Sequence, residues 1–126
     1  MKKILIVEDN EKNMKLVRDI LRHNSLTTIE AVTGESGVAL ALSERPDLIL
    51  MDIQLPDIDG IEALRRIRAE SELDAIPVIA VSASVMPDDQ QKIVTSGFDA
   101  FVTKPINLKH FLETVKRFLA QGRAVR

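Results

Sequence analysis

Glu8-Asp9, Asp52, Ser82 and Lys104 have side chains that could do chemistry together, and each follows a short apolar run. Residues 4–7 lead into Glu8-Asp9, 48–51 into Asp52, 78–81 into Ser82, and 101–103 into Lys104-Pro105. If those runs are parallel strands, the side chains collect along one edge of one sheet, where open α/β sheets bind ligands. Carboxylates gathered there repel one another, more strongly in a crevice than in water. A hard divalent cation relieves that repulsion, and Mg2+ favours oxygen ligands, one or two carboxylates among them, beside waters and phosphate oxygens. Asp9 and Asp52 are the expected direct ligands. The backbone carbonyl of Gln54 completes the protein's share, and Glu8, one methylene longer, acts through water. Asp52 is the expected nucleophile, because carboxylates form aspartyl-phosphate intermediates and phosphoryl transfer asks mainly for positioning and charge neutralisation. The Lys104 ammonium then offsets phosphoryl charge, and the Ser82 hydroxyl donates to a phosphoryl oxygen.

The elements that must position these residues alternate along the chain. After the first run, Met14, Val17, Ile20 and Leu21 recur at helical spacing over 11–23, with Asn10 placed to cap the helix. A β-branched run over 26–32 precedes a helix over 34–44. The segment 47–51 is nearly all apolar, as a central strand covered on both faces must be. Turn chemistry over 55–60, where Asp57 and Asp59 are given solvent roles, leads to a helix over 61–70. Pro77 opens the fourth strand, where its missing N–H costs little. A helix over 88–96 is stopped by Gly97, with Asp88 and Asp89 complementing its dipole. A strand over 99–103 follows. The final helix carries an apolar stripe through Leu108, Phe111, Leu112, Val115, Phe118 and Leu119. Five β-α units in succession imply right-handed crossovers and helices on both faces of a parallel sheet. The expected fold is a single-domain α/β three-layer sandwich with a five-stranded parallel sheet in the flavodoxin-like order 2-1-3-4-5. Residues 1–120 form the domain and 121–126 a short, frayed tail.

Composition narrows the function. A chain of 126 residues fits one domain, and 45% hydrophobic residues supply an ordinary core. Lys and Arg number 17 against 19 for Asp and Glu, so there is no basic footprint for direct DNA binding. Without Trp or Tyr, and with 4 Phe, stacking platforms for bases are scarce. The absence of Cys removes disulfides, thiolate metal sites and thiol nucleophiles together. No apolar stretch approaches the length of a membrane span, and the run behind Met1-Lys2-Lys3 is too short for a signal peptide. The expectation is a cytoplasmic protein without membrane insertion.

Taken together, Ile6-Val7-Glu8-Asp9-Asn10, the run 47–52 ending on Asp52, Leu55-Pro56-Asp57-Ile58-Asp59-Gly60, Val81-Ser82-Ala83 and Thr103-Lys104-Pro105 resemble one family. They are similar to the receiver domains of two-component response regulators, the CheY-like family, over residues 3–119. The resemblance implies phosphotransfer from a phosphohistidine on a histidine kinase or histidine phosphotransfer protein to Asp52. It also implies Mg2+ at Glu8, Asp9 and Asp52, and self-catalysed dephosphorylation, so that the chain is a phosphoacceptor rather than an enzyme acting on other substrates. Ser82 corresponds to the family's switch hydroxyl and Lys104 to its phosphate-pairing lysine. Phe101 corresponds to a switch aromatic that is Tyr in many members, and the Lys104–Pro105 bond is expected to be cis. Gln54 and Ser84 fall where the family tunes phosphoryl lifetime. With no output domain attached, the signal would pass to a downstream effector protein by direct contact.

Blander readings exist for every one of these residues. Ser82 could cap a turn, Lys104 could snorkel along the surface, and Phe101 could be plain core. His23 fits a helix C-terminus better than a phosphoryl carrier, and His110 fits an exposed helix face. Two rival functions use the same residues. A Mg2+-dependent phosphatase of the haloacid dehalogenase type would place a second Asp where this chain has Gln54. A degenerate receiver serving as a scaffold would have no need of Asp9, Asp52, Ser82 and Lys104 together.

Overall fold

In the computed structural model, residues 2–83 and 86–123 are described. The elements follow as β1 (Lys3–Val7), α1 (Glu11–His23), β2 (Thr27–Ala31), α2 (Gly34–Glu44), β3 (Leu48–Asp52) and α3 (Gly60–Arg68). A 3₁₀ turn at Ser71–Leu73 leads to β4 (Val78–Ser82), α4 (Pro87–Thr95), β5 (Ala100–Thr103) and α5 (Leu108–Gln121). The five strands form one parallel sheet in the order β2-β1-β3-β4-β5.

Strand side chains alternate between two cores. Leu5, Val7, Ile49, Met51, Val78 and Ala80 face one way and pack with Ala63, Leu64 and Ile67 of α3 and Ile93 of α4. Ile4, Ile6, Leu48, Leu50, Ile79 and Val81 face the other way and pack with Met14, Val17 and Leu21 of α1 and Phe111 and Val115 of α5. Burial on both faces explains why β1, β3 and β4 read as unbroken apolar runs.

Local chemistry sets the helix boundaries. Asn10 Oδ1 accepts from the amide of Asn13 at 3.0 Å and starts α1, as its position predicts. Thr33 and Ser36 form a reciprocal capping box on α2. Asp59, given a solvent role from sequence, instead caps α3 by accepting from the Glu62 amide at 2.8 Å. Asp57 also departs from its solvent role and accepts from the first amides of α2. Both carboxylates meet amides that a helix start leaves without intrahelical partners. Gly97, at φ +106°, follows the end of α4 as expected.

Of the stretch read from sequence as a tail, residues 121–123 are described. Gln121 is still in α5, and Arg123 donates to Asp99 Oδ1 at 3.0 Å and to the Asp74 carbonyl at 2.9 Å. The Asp99 side chain is buried and also pairs with Arg68 at 3.1 Å, while its Oδ2 accepts from the Val78 amide at 2.8 Å. This network lies at the amino end of β4 and β5, opposite the strand ends that carry Ser82 and Lys104.

Candidate functional site

The sheet itself delivers the reactive groups. Backbone pairing runs one step past the strands, with Glu8 N donating to Ala31 O at 3.0 Å, Ile53 N to Val81 O at 3.1 Å, and Lys104 N to Ser82 O at 2.8 Å. Each residue of interest is therefore held by a ladder hydrogen bond or lies beside one. Asp52 ends β3, Ser82 ends β4, and Glu8-Asp9 follow β1, the strand next to β3 at the point where strand order reverses.

One carboxylate oxygen from each of Glu8, Asp9 and Asp52 lies within 4.8 Å of the other two. Glu8 and Asp52 are buried, 4% and 5% exposed, whereas Asp9 is open to solvent. Lys104 Nζ lies 2.9 Å from Glu8 Oε1 and 3.2 Å from Asp52 Oδ2, neutralising part of the cluster. Glu8 Oε2 accepts from the Asn10 amide at 3.2 Å, and Asp52 Oδ1 from the Gln54 amide at 3.2 Å. Burial pushes the Glu8 carboxyl above its ordinary pKa, the adjacent Asp52 adds to this, and Lys104 opposes it. For Lys104, burial works against the charged form, but the two carboxylates outweigh it and raise the pKa. The ammonium is thus firmly protonated.

Three hard oxygen donors at this spacing, one of them open to water, suit a small divalent cation that keeps part of its hydration shell. Ser82 is buried at the end of β4 and lines a cleft of about 170 Å³ with Gln54, Asp59, Asp89 and Lys92. Phe101 is half-buried, packs against the core on the α3 and α4 side of the sheet, and lines a surface groove with Val94 and His110. The Lys104–Pro105 peptide is cis. Ser84 lies outside the described residues. His23 and His110 are exposed on α1 and α5.

Sequence reasoning assigned Glu8 to water and Lys104 to a phosphate, and did not foresee their direct pairing. Both residues were singled out by their strand ends, but nothing in residue spacing tells which carboxylate an ammonium will touch.

The family profile described as the response regulator receiver domain matches residues 4–116. The chain belongs to that family. As a receiver it is 46% identical over 121 residues to the polar-differentiation response regulator DivK of Brucella anthropi, covering 96% of this chain and 98% of that protein. The DivK of Brucella ovis is 45% identical over the same length. From sequence, the stretches Glu8–Leu16, Met51–Pro56, Lys104–Ile106 and His110–Thr114 are the ones that resemble DivK. Among solved structures, the receiver domain of the sensor histidine kinase PA1611 from Pseudomonas aeruginosa superposes with a TM-score of 0.88 at 30% identity. It covers 94% of this receiver and 98% of its own chain, and is described with a magnesium ion coordinated in the active site cleft. A CheY-like receiver from Methanospirillum hungatei gives a TM-score of 0.85 at 29% identity, covering 96% of this receiver and 95% of its own chain. This receiver is therefore a response-regulator signalling domain, and among its described residues no helix is long and apolar enough to cross a membrane.

Proposed function

We propose that this receiver accepts a phosphoryl group on Asp52 from a phosphohistidine of a histidine kinase or histidine phosphotransfer protein, and that the modified protein signals by contacting a downstream effector. The observation that carries the reading is the convergence of Asp52, Glu8 and Asp9 with Lys104 at one sheet edge. A carboxylate oxygen of Asp52 forms the new O–P bond as the donor's N–P bond breaks, and the imidazole nitrogen keeps the electron pair. Asp9, Asp52 and the Gln54 carbonyl would hold Mg2+ directly, with Glu8 acting through water. When bound, Mg2+ supplies positive charge against the phosphoryl oxygens, the same need that Lys104 meets from the protein side.

The Ser82 hydroxyl and the Lys104 ammonium then follow the new charge of about −1.5 to −2. Their movement, with Phe101, biases the face made by α4, β5 and α5. Water attacks the phosphorus, the O–P bond to Asp52 breaks and inorganic phosphate leaves, so the receiver resets itself and turns over no other substrate. Residues 1–120 act as the switching unit, with 121–126 a tail in functional terms, and a cytoplasmic setting suits phosphohistidine donors. Transfer from a radiolabelled phosphohistidine domain tests the reading. Label is expected to pass to the wild-type protein in Mg2+ and not to Asp52→Asn, and label on Asp52→Asn would refute it.

A further inference from the structure

The loop between β3 and α3 is fastened at its far side to a helix that supplies no group to the site. Asp57 Oδ1 accepts from the Gly34 amide and Oδ2 from the Glu35 amide, both at 2.8 Å. These are the first two amides of α2, which have no intrahelical acceptor. The capping box of Thr33 with Ser36 already closes the rest of that terminus. Ile58, the next residue, lies so near Gly34 that a Cβ there would meet Ile58 Cγ1 at 2.5 Å. At the near side of the loop, the Gln54 amide donates to Asp52 Oδ1 at 3.2 Å, and the Gly60 amide donates to the Ile53 carbonyl at 2.8 Å. Gln54 therefore sits in a short span of chain fixed at Asp52 on one side and at α2 on the other.

From this arrangement we infer that Asp57 is a positioning residue, coupling the N-terminus of α2 to the cation and phosphoryl site through the 53–59 loop. The inference rests on the proposed Mg2+-dependent phosphoacceptor reading. Linkage makes the coupling reciprocal: if Asp57 holds the loop ready for the cation, cation binding must in turn steady the amides that Asp57 grips. Neither effect follows if Asp57 only caps α2.

The test uses the full chain and Mg2+ alone, read by amide exchange and by titration of backbone resonances. In the wild type, Mg2+ is expected to slow exchange at Gly34 and Glu35. Asp57→Asn keeps the shape but offers an amide group in place of one acceptor oxygen. It is expected to abolish that slowing and to weaken Mg2+ binding by about 10-fold, at the low end of what outer partners of metal sites contribute. Thr33→Val, which breaks the capping box without touching the loop, is expected to lower the melting temperature and leave Mg2+ affinity unchanged. Wild-type affinity in Asp57→Asn, or equal weakening by Thr33→Val, overturns the inference. Unchanged Gly34 and Glu35 exchange on adding Mg2+ to the wild type overturns it without any variant. A wild type that binds no Mg2+ overturns the site reading itself, and the inference with it.

Discussion

Lys104 is where the chemistry of single residues can be weighed. Its ammonium is the cation that the structure sets against Glu8 and Asp52, two carboxylates that are almost fully buried. Removing one partner of a buried ion pair leaves an uncompensated charge, which is why such deletions are destabilising. The Lys104 side chain keeps 17% exposure, so Lys104→Met is expected to cost about 1–3 kcal/mol, less than a fully buried pair. Urea unfolding with and without Mg2+ checks this: the cation should recover more stability in the variant than in the wild type. Asp57 gives a pH prediction. The Glu35 amide is the main cause lowering its pKa from 3.8 to about 2, with the Gly34 amide adding to it and burial opposing. A lowered folded-state pKa stabilises fully above the unfolded value and fades as pH falls through the folded one. The stability gap between wild type and Asp57→Asn should therefore be constant above pH 3.8 and close towards about pH 2, as followed by urea melts across that range.

At the scale of elements, Gly60 shows how tightly α3 is set against the site. A Cβ on Gly60 would collide with the carbonyl oxygen of Asp52 and approach Ile53 Cα at 2.9 Å. Backbone cannot yield as a flexible side chain can, so Gly60→Ala is expected to cost about 1–3 kcal/mol. It should also lower the rate of Asp52 phosphorylation by a small donor, because the displaced atoms belong to the proposed phosphoacceptor. Asp99 performs the corresponding anchoring at the opposite sheet edge, joining the end of α3 through Arg68 to the segment after α5 through Arg123. Asp99→Ala leaves the Arg68 and Arg123 guanidiniums, 18% and 22% exposed, without their carboxylate and is expected to cost about 1–3 kcal/mol while leaving small-donor labelling intact in the folded fraction. Element order and the two apolar faces were legible because β1 and β3 are unbroken apolar runs and the 3.6-residue period is strong in α1 and α5. The roles of Asp57, Asp59 and Asp99 were not. Each is a single acid in turn-like sequence, and its partners lie in segments that only the folded chain brings near.

Across the whole molecule, the site was legible to the extent that strand ends are legible. Asp9, Asp52, Ser82 and Lys104 are named by their places after apolar runs, and a parallel sheet in the order 2-1-3-4-5 brings those places to one edge. Contacts between them depend on side-chain reach, so the Glu8–Lys104 pair was beyond sequence reasoning. Phosphoryl charge at that edge is expected to reach the α4, β5 and α5 face through Ser82 and Phe101, with a coupling of about 1–3 kcal/mol. Amide exchange on that face should change on phosphorylation of the wild type and change little in Ser82→Ala, although both carry the phosphoryl group. The most direct test of the account is to incubate the protein with Mg2+ and a small phosphodonor, reduce the acyl phosphate with borohydride, and map the modified residue by mass spectrometry. One Mg2+-dependent modification is expected, at Asp52. Modification at any other residue, or none at all in the folded protein, would contradict it.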